Sequence, residues 1–262
     1  MELCLRLGIF LGVFTLLALL EWMQPRRHLR VGKKQRWSRN LALASINALM
    51  LFFAPITVVG AAIFADGHQW GIFHTLVLPS YVVLILSILF LDFSVYCQHI
   101  AFHKIPFLWR LHKVHHIDQD IDVTTGIRFH PGEILISIFV KILAVIVLGI
   151  PYHVVLIFEI LLNVTAIFNH SNIRLPLALD KYLRFFLVTP DMHRVHHSTI
   201  VRETNSNFGF NLPCWDRLFR TYTEQPTQGH QDMTIGLDDY QNTENTGLYA
   251  TLMIPFHRDP QP

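Results

Sequence analysis

The chain has 262 residues, of which 52% are hydrophobic and only 15% charged, with 16 histidines and a formal net charge of +2. Soluble domains carry about 25% charged residues, so this composition excludes a disordered or nucleic-acid-binding chain and argues against a soluble enzyme. Three cysteines, Cys4, Cys97 and Cys214, lie far apart without a CxxC, which leaves no disulfide framework and no thiolate metal site.

Five apolar stretches follow one another. Leu3–Leu20 contains one charge, Arg6, and Leu41–Ala65 contains none. Leu76–Leu91 is uncharged up to Asp92, Ile134–Gly149 holds Lys141, and Tyr152–Phe168 holds Glu159. A span needs about 20 apolar residues. The first three stretches are long enough, whereas the last two, joined at Gly149-Ile150-Pro151, read as a helical hairpin with short arms. Leu3–Leu20 lacks a basic leader and a small-residue cleavage site, so it reads as a retained helix. The expected fold is an all-α membrane protein, with about five transmembrane or hairpin helices and a helical cytoplasmic cap.

The positive charges orient it. Glu21–Asn40 holds seven Lys/Arg, Cys97–Glu133 four, and the chain after His170 eight, together 19 of 21. By the positive-inside rule these three segments are cytoplasmic and the N-terminus is outside. The basic run 26–39 reads as a determinant of topology and of lipid-headgroup contact. A bacterial inner membrane and an endoplasmic reticulum membrane both fit. The lack of a retrieval signal in Asp259–Pro262 favours the former.

The histidines cluster on that cytoplasmic side. His99 and His103 form an HxxxH; His112, His115 and His116 form an HxxHH; His193, His196 and His197 form a second. Residues spaced i, i+3 and i+4 share a helix face, so each box presents two or three imidazoles in one direction. Imidazole suits iron, zinc, copper and nickel, and eight such ligands exceed one ion, so two metals are expected. The third span can run unbroken to His103. Ile105-Pro106 then ends that helix and opens the next, and Thr189-Pro190-Asp191 reads as a cap, a first-turn proline and a first-turn acid. His170, at the end of the returning hairpin arm, is a ninth candidate. His130 in Arg128-Phe-His-Pro-Gly-Glu133 is a candidate ligand or ligand partner, with Glu133 beside it. Asp92, Asp191 and Glu159 are further candidates for accepting a ligand's second N–H. His28, His68, His74, His230 and His257 read as ordinary histidines, and His153 lies on the wrong side of the membrane.

The ordered set HxxxH, HKVHH, RFHPGE, NHSN and PDMHRVHHS, followed by NSNFG and WDRLF, resembles the fatty acid hydroxylase/sterol desaturase superfamily of integral membrane enzymes. The resemblance covers about Leu76 to Tyr222. It implies a non-haem centre of two iron ions that activates O2 to hydroxylate or desaturate a lipid C–H bond. It also implies ligands at His99, His103, His112, His115, His116, His170, His193, His196 and His197. Two positions depart from the pattern: Ala166 stands where some members carry another polar residue, and Arg220 where a glycine often follows WDRLF. The chain then divides into an N-terminal transmembrane pair with its basic loop (1–75), a catalytic domain (76–223) and a polar tail (224–262).

No Rossmann, flavin or haem motif is present, so electrons must come from a separate donor, such as a ferredoxin or a cytochrome b5-like protein with its reductase. The expected partners are a membrane lipid substrate, that donor and the bilayer, with no nucleic acid. Asn172–Val188 reads as an amphipathic interfacial helix. Asn205, Asn207 and Trp215-Asp216-Arg217 are expected to organise the cap, and Leu248–Phe256 to lie back on the membrane. The competing functions are a zinc hydrolase acting on a membrane lipid and a metal transporter. A transporter would place ligands within the spans and on both sides, unlike these boxes.

Overall fold

In the computed structural model, which describes residues 2–241 and 247–257, the long segments are all helical. Two isolated bridges, Pro25 with Ile173 and Ser198 with Ile235, are the only extended pairings among the described residues. The main helices are α1 (Glu2–Met23), α2 (Lys33–Phe52), α3 (Val58–Gly67), the single turn α4 (Ile72–Thr75), α5 (Ser80–Lys104), α6 (Pro106–His116), α7 (Pro131–Leu148), α8 (Tyr152–His170), α9 (Leu177–Leu183) and α10 (Pro190–His196). Four of them, α1, α5, α7 and α8, are long and apolar enough to cross a membrane. The protein is an all-α membrane protein. The segment Asp259–Pro262 lies outside the described residues.

The stretch Leu41–Ala65 is not one helix. Pro55 lacks an N–H and disfavours helical geometry at Ala54, so α2 stops at Phe52. A new helix, α3, starts where the Thr57 side chain accepts a bond from the Gly60 amide at 2.9 Å. The ten-residue α3 is rich in small residues and packs Val58, Val59 and Ala62 closely against Val145, Leu148, Val155 and Phe158 of the α7–α8 hairpin.

Both hairpin arms proved long enough to span. They meet at Gly149, which closes α7 in the left-handed conformation (φ 69°). Gly71, at φ 105°, rests on this turn so tightly that a Cβ on it would lie 2.1 Å from the Gly149 amide nitrogen. With the hairpin turn and the α3–α5 connection clasped together, the other ends of α5, α7 and α8 gather at the opposite pole, which carries the histidine boxes. Pro79 delays the start of α5 to Ser80, and Pro106 ends it and opens α6 as expected.

The charges inside the apolar segments pair with one another. Glu159 of α8 receives Arg6 of α1 at 2.8 Å and lies 3.6 Å from Lys141 of α7. At the histidine pole the basic run is divided: Arg30, Lys33 and Lys34 are exposed, whereas Arg26, Arg27 and Arg36 turn inward. Arg36 is fully buried on Asp118 (2.7 Å) and Asp122, Arg27 bonds the Met233 carbonyl, and Arg26 bonds Asp191 at 2.9 Å. The region expected as an amphipathic helix over Asn172–Val188 is helical only across Leu177–Leu183, because Ile173 is tied to Pro25 and Pro176 delays the helix start. Leu177, Tyr182, Phe185 and Phe186 are exposed along it. The C-terminal Leu248–Met253 helix and the turn after it pack on the cap, burying Ile254 against Leu43, Val114 and Ile117.

Candidate metal centre

The histidine pole is assembled from four helix ends. His99 and His103 sit on the last two turns of α5, His112, His115 and His116 on the last turns of α6, His170 at the end of α8, and His193, His196 and His197 on and just after α10. α10 is capped as its sequence suggests, with Thr189 Oγ1 accepting from the Met192 amide at 3.3 Å and Pro190 at its first position.

The nine imidazoles separate into two groups. His99, His103, His112, His116 and His196 form one; His115, His170, His193 and His197 form the other. Within each group, one ring nitrogen from every residue lies within 4.8 Å of all the others, which is the reach of a single ion. The two HxxHH boxes contribute reciprocally. The outer pair of α6, His112 and His116, joins the first group and His115 the second, whereas His193 and His197 join the second group and His196 the first.

The hydrogen bonds fix which nitrogen faces inward. Nδ1 of His99 lies 2.8 Å from the Phe208 carbonyl, Nδ1 of His115 3.1 Å from that of Arg128, Nδ1 of His170 2.7 Å from that of Ala166, and Nδ1 of His196 2.7 Å from that of Ser206. His112 Nδ1 lies 2.7 Å from Glu133 Oε1. Carbonyls and carboxylates only accept, so each of these Nδ1 atoms carries the proton and donates it. Each Nε2 is then a free lone pair. The Nε2 atoms of His99, His103, His112 and His196 are buried without a hydrogen-bond partner, and those of His115 and His193 converge on that of His170 at 3.0 Å each. Buried acceptors left unpaired are costly, and lone pairs crowded at 3.0 Å repel. A metal ion in each group removes both penalties, so the donor set fits one.

Burial favours the neutral form of the imidazoles on and just after α10 and of two on α6. It pushes the pKa of His115, His116, His193 and His197 well below the usual value, with neighbouring histidines adding to the effect, and that of His196 down to about 3. Aromatic rings wall the site. Phe129 stacks on His115 with centroids 4.6 Å apart, Phe208 lies against His99, His103 and His196, and the part-exposed Trp109 contacts His103 and His116.

Of the additional candidates, only Glu133 touches a histidine of either group. His130 instead caps α7, its Nδ1 accepting from the Gly132 amide at 3.0 Å, and its Nε2 lies 3.2 Å from the Leu252 carbonyl of the C-terminal helix. Asp92 accepts from Asn211 at 2.7 Å and Trp215 Nε1 at 2.8 Å, tying α5 to the WDRLF segment. Asp191 is held by Arg26 and Arg194, and Glu159 by the intramembrane cations. Ala166, which has no polar side chain, serves His170 through its backbone carbonyl. Asn207 organises the cap as expected, with Nδ2 bonding the Met192 and Thr223 carbonyls at 2.9 and 2.8 Å. Asn205 receives Lys104 at its surface.

Residues not foreseen lie just beneath α6. Asp118 and Asp122 receive Arg36; Asn40 bonds Asp118 and Thr124 and accepts from Arg128, whose own carbonyl orients His115. The signal was present in the three alternating acids Asp118, Asp120 and Asp122 directly after HKVHH. Burial alone would push the Asp118 carboxyl up, yet Arg36 holds it well below the ordinary range.

Fold and site together define a class: a helical membrane protein with two adjoining histidine groups at one end of its bundle, each suited to a metal ion. Residues 84–221, more than half of the chain, match the fatty acid hydroxylase family, and the chain belongs to it. It is 30% identical over 208 residues to the ornithine lipid hydroxylase OlsE of Rhizobium tropici, covering 78% of this chain and 58% of that protein. It is 29% identical over 235 residues to an alkylglycerol monooxygenase of Caenorhabditis elegans, covering 86% and 43%. With cholesterol 25-hydroxylase of Rattus norvegicus it shares 28% identity over 141 residues, covering 53% and 46%. The chain therefore spans only about half the length of these relatives. No solved structure gives a significant match.

Proposed function

We propose that this chain is an O2-dependent oxidoreductase that uses two iron ions to hydroxylate a C–H bond of a membrane lipid. The observation that carries the reading is the division of nine histidines, eight buried and His103 half-buried, into groups of five and four, with Nε2 atoms left free to bind. When bound, the iron pair would supply the redox chemistry by which one atom of O2 enters a C–H bond and the other leaves as water, using two electrons from outside.

The chain's own residues hold and insulate that centre. Four backbone carbonyls and Glu133 fix the tautomer and tilt of five imidazoles, so little reorganisation is needed when metal binds. Burial excludes water and favours the neutral form of His115, His116, His193, His196 and His197. The proteins of known name that it resembles act as lipid or sterol hydroxylases or monooxygenases by their names, which favours hydroxylation over desaturation and over a zinc hydrolase. The donor is a separate one-electron carrier, a ferredoxin or a cytochrome b5-like protein, and the concentration of basic residues in the flanking segments supports a cytoplasmic histidine pole.

The test is metal content by elemental mass spectrometry on protein purified anaerobically in mild detergent, followed by reduction, exposure to O2 and lipid mass analysis. About two irons per chain and a lipid product heavier by one oxygen atom are expected. One zinc, no iron and no gain of activity with ferrous iron would overturn the reading and direct the search to hydrolysis.

A further inference from the structure

A groove of about 610 Å³ opens between the last turns of α1 and the first turns of α2, away from the histidine groups. Phe14, Ala18 and Trp22 of α1 form one wall; Lys33, Lys34 and Trp37 of α2 form the other. Behind its walls, Phe14, Ala18 and Trp37 pack against the buried cluster of Leu17, Val123, Ile167 and Ile173. The wall is therefore apolar along its length, with two ammonium groups and two indoles at the pole where the helices leave the membrane. That is the depth at which tryptophans and lysines meet lipid headgroups.

The charges there are unbalanced. Neither Lys33 nor Lys34 has an ion-pair partner among the described residues. The neighbouring carboxylate, Glu21, is buried and turned inward to accept from the Val123 and Asn172 amides at 2.9 and 2.5 Å. The first turn of α2 carries both lysines and no acid, and its N-cap, Gly32, offers no side-chain acceptor. A helix N-terminus is already positive and favours anions, so two lysines placed there repel it unless an anion sits among them. Other basic residues of the same loop are neutralised internally, Arg26 by Asp191 and Arg36 by Asp118. Lys33 and Lys34 are left facing the groove.

We propose that this groove holds a resident anionic phospholipid, with an acyl chain along Phe14, Ala18 and Leu19 and its phosphate at Lys33, Lys34 and the start of α2. The lipid is distinct from the substrate, and it ties α1 to α2 where Trp37 also meets Phe14 with ring centroids 5.7 Å apart.

The full chain, delipidated in mild detergent, is titrated with phosphatidylglycerol or with phosphatidylcholine of matched chains, and occupancy is read by native mass spectrometry. Two lysines near the headgroup predict a preference for phosphatidylglycerol of about thirtyfold. The double variant K33Q/K34Q, altered only at exposed positions, should bring the two lipids to within about threefold of each other. A18W, which fills the groove, should reduce both. Equal binding of the two lipids by the unaltered chain, or an undiminished preference in K33Q/K34Q, overturns the proposal. Recovery of the bound phosphatidylglycerol with an added oxygen atom after reduction and O2 would instead make the occupant a substrate and overturn its role as a resident lipid.

Discussion

The imidazoles of His116 and His197 stack with centroids 4.6 Å apart and 20° between their planes, yet each belongs to a different histidine group. Among the described residues, neither ring has a hydrogen-bond partner at either nitrogen. The two groups thus share a wall made of two of their own histidines. Removing either ring opens both groups to the same cavity.

His197→Ala is accordingly expected to lower metal content from about two ions per chain to fewer than one. His99→Ala, remote from that wall, should lose mainly one ion, and His153→Ala should lose none. Elemental analysis of the three purified variants checks this. Equal single losses in His197→Ala and His99→Ala would disprove the coupling.

Glu133 stands in the first turn of α7 and accepts the His112 Nδ1–H. Glu133→Ala leaves that proton unpaired and frees the ring to turn. Metal affinity should fall by about 10- to 100-fold, with Glu133→Gln retaining more of it. Competition against a calibrated chelator measures the fall.

Arg36 is buried between two carboxylates. Arg36→Met leaves Asp118 and Asp122 uncompensated, and a broken buried pair of this kind costs about 3–5 kcal/mol. The thermal unfolding midpoint in detergent should drop sharply, and adding Asp118→Asn should recover part of the loss. An unchanged midpoint in Arg36→Met would show that the network contributes little.

His230 gives an acid-side prediction. Burial lowers its pKa to about 4, despite Asp191 nearby. The folded value lies below the unfolded value of about 6.5, so the native state binds fewer protons in between. This contribution to stability is complete above the unfolded value and is lost as pH falls toward 4. Across that window one such group changes stability by up to about 1.4 kcal/mol per pH unit. His230→Gln should therefore narrow the difference in unfolding midpoint between pH 7 and pH 5.

Arg220 occupies a left-handed position, φ 59°, a conformation that glycine adopts without strain. Arg220→Gly removes the crowding of a Cβ there, worth about 1 kcal/mol, and adds unfolded-state freedom of similar size. The variant should match the parent within about 1 kcal/mol. Asn207→Ala, at φ 50° and with its side-chain bonds lost, should be clearly destabilised in the same thermal assay.

The nine histidines were legible because i, i+3 and i+4 spacing is a property of the helix alone. Their partition was not. His115 points about 100° around α6 from His116, so the box cannot serve a single ion, and only the approach of α10 decides which ring goes where. The carbonyls of Phe208, Arg128, Ala166 and Ser206 leave no trace in a sequence, since every residue has one. Asp92 and Glu159 were drawn toward the metals by their spacing from His99 and His170, but spacing along one helix says nothing of Asn211, Trp215, Arg6 or Lys141 arriving from elsewhere. Pro55 was a legible sign that Leu41–Ala65 would break, outweighed by the apolar run around it. The inward pairing of Arg36 within the basic run 26–39 was not legible, because the acids that neutralise it lie over 80 residues further along the chain.

The clasp of Gly71 on Gly149 lies a whole helix length from the histidines. α7 and α8 leave it together and arrive about 27 Å away, bearing Glu133 on one arm and His170 on the other. The pair is built like tweezers: the pivot is at one end of the two helices and the tips reach the histidine pole at the other. A single methyl group at either glycine would spread the pivot, so a substitution touching no ligand would be read as a misaligned imidazole on the far side of the bilayer.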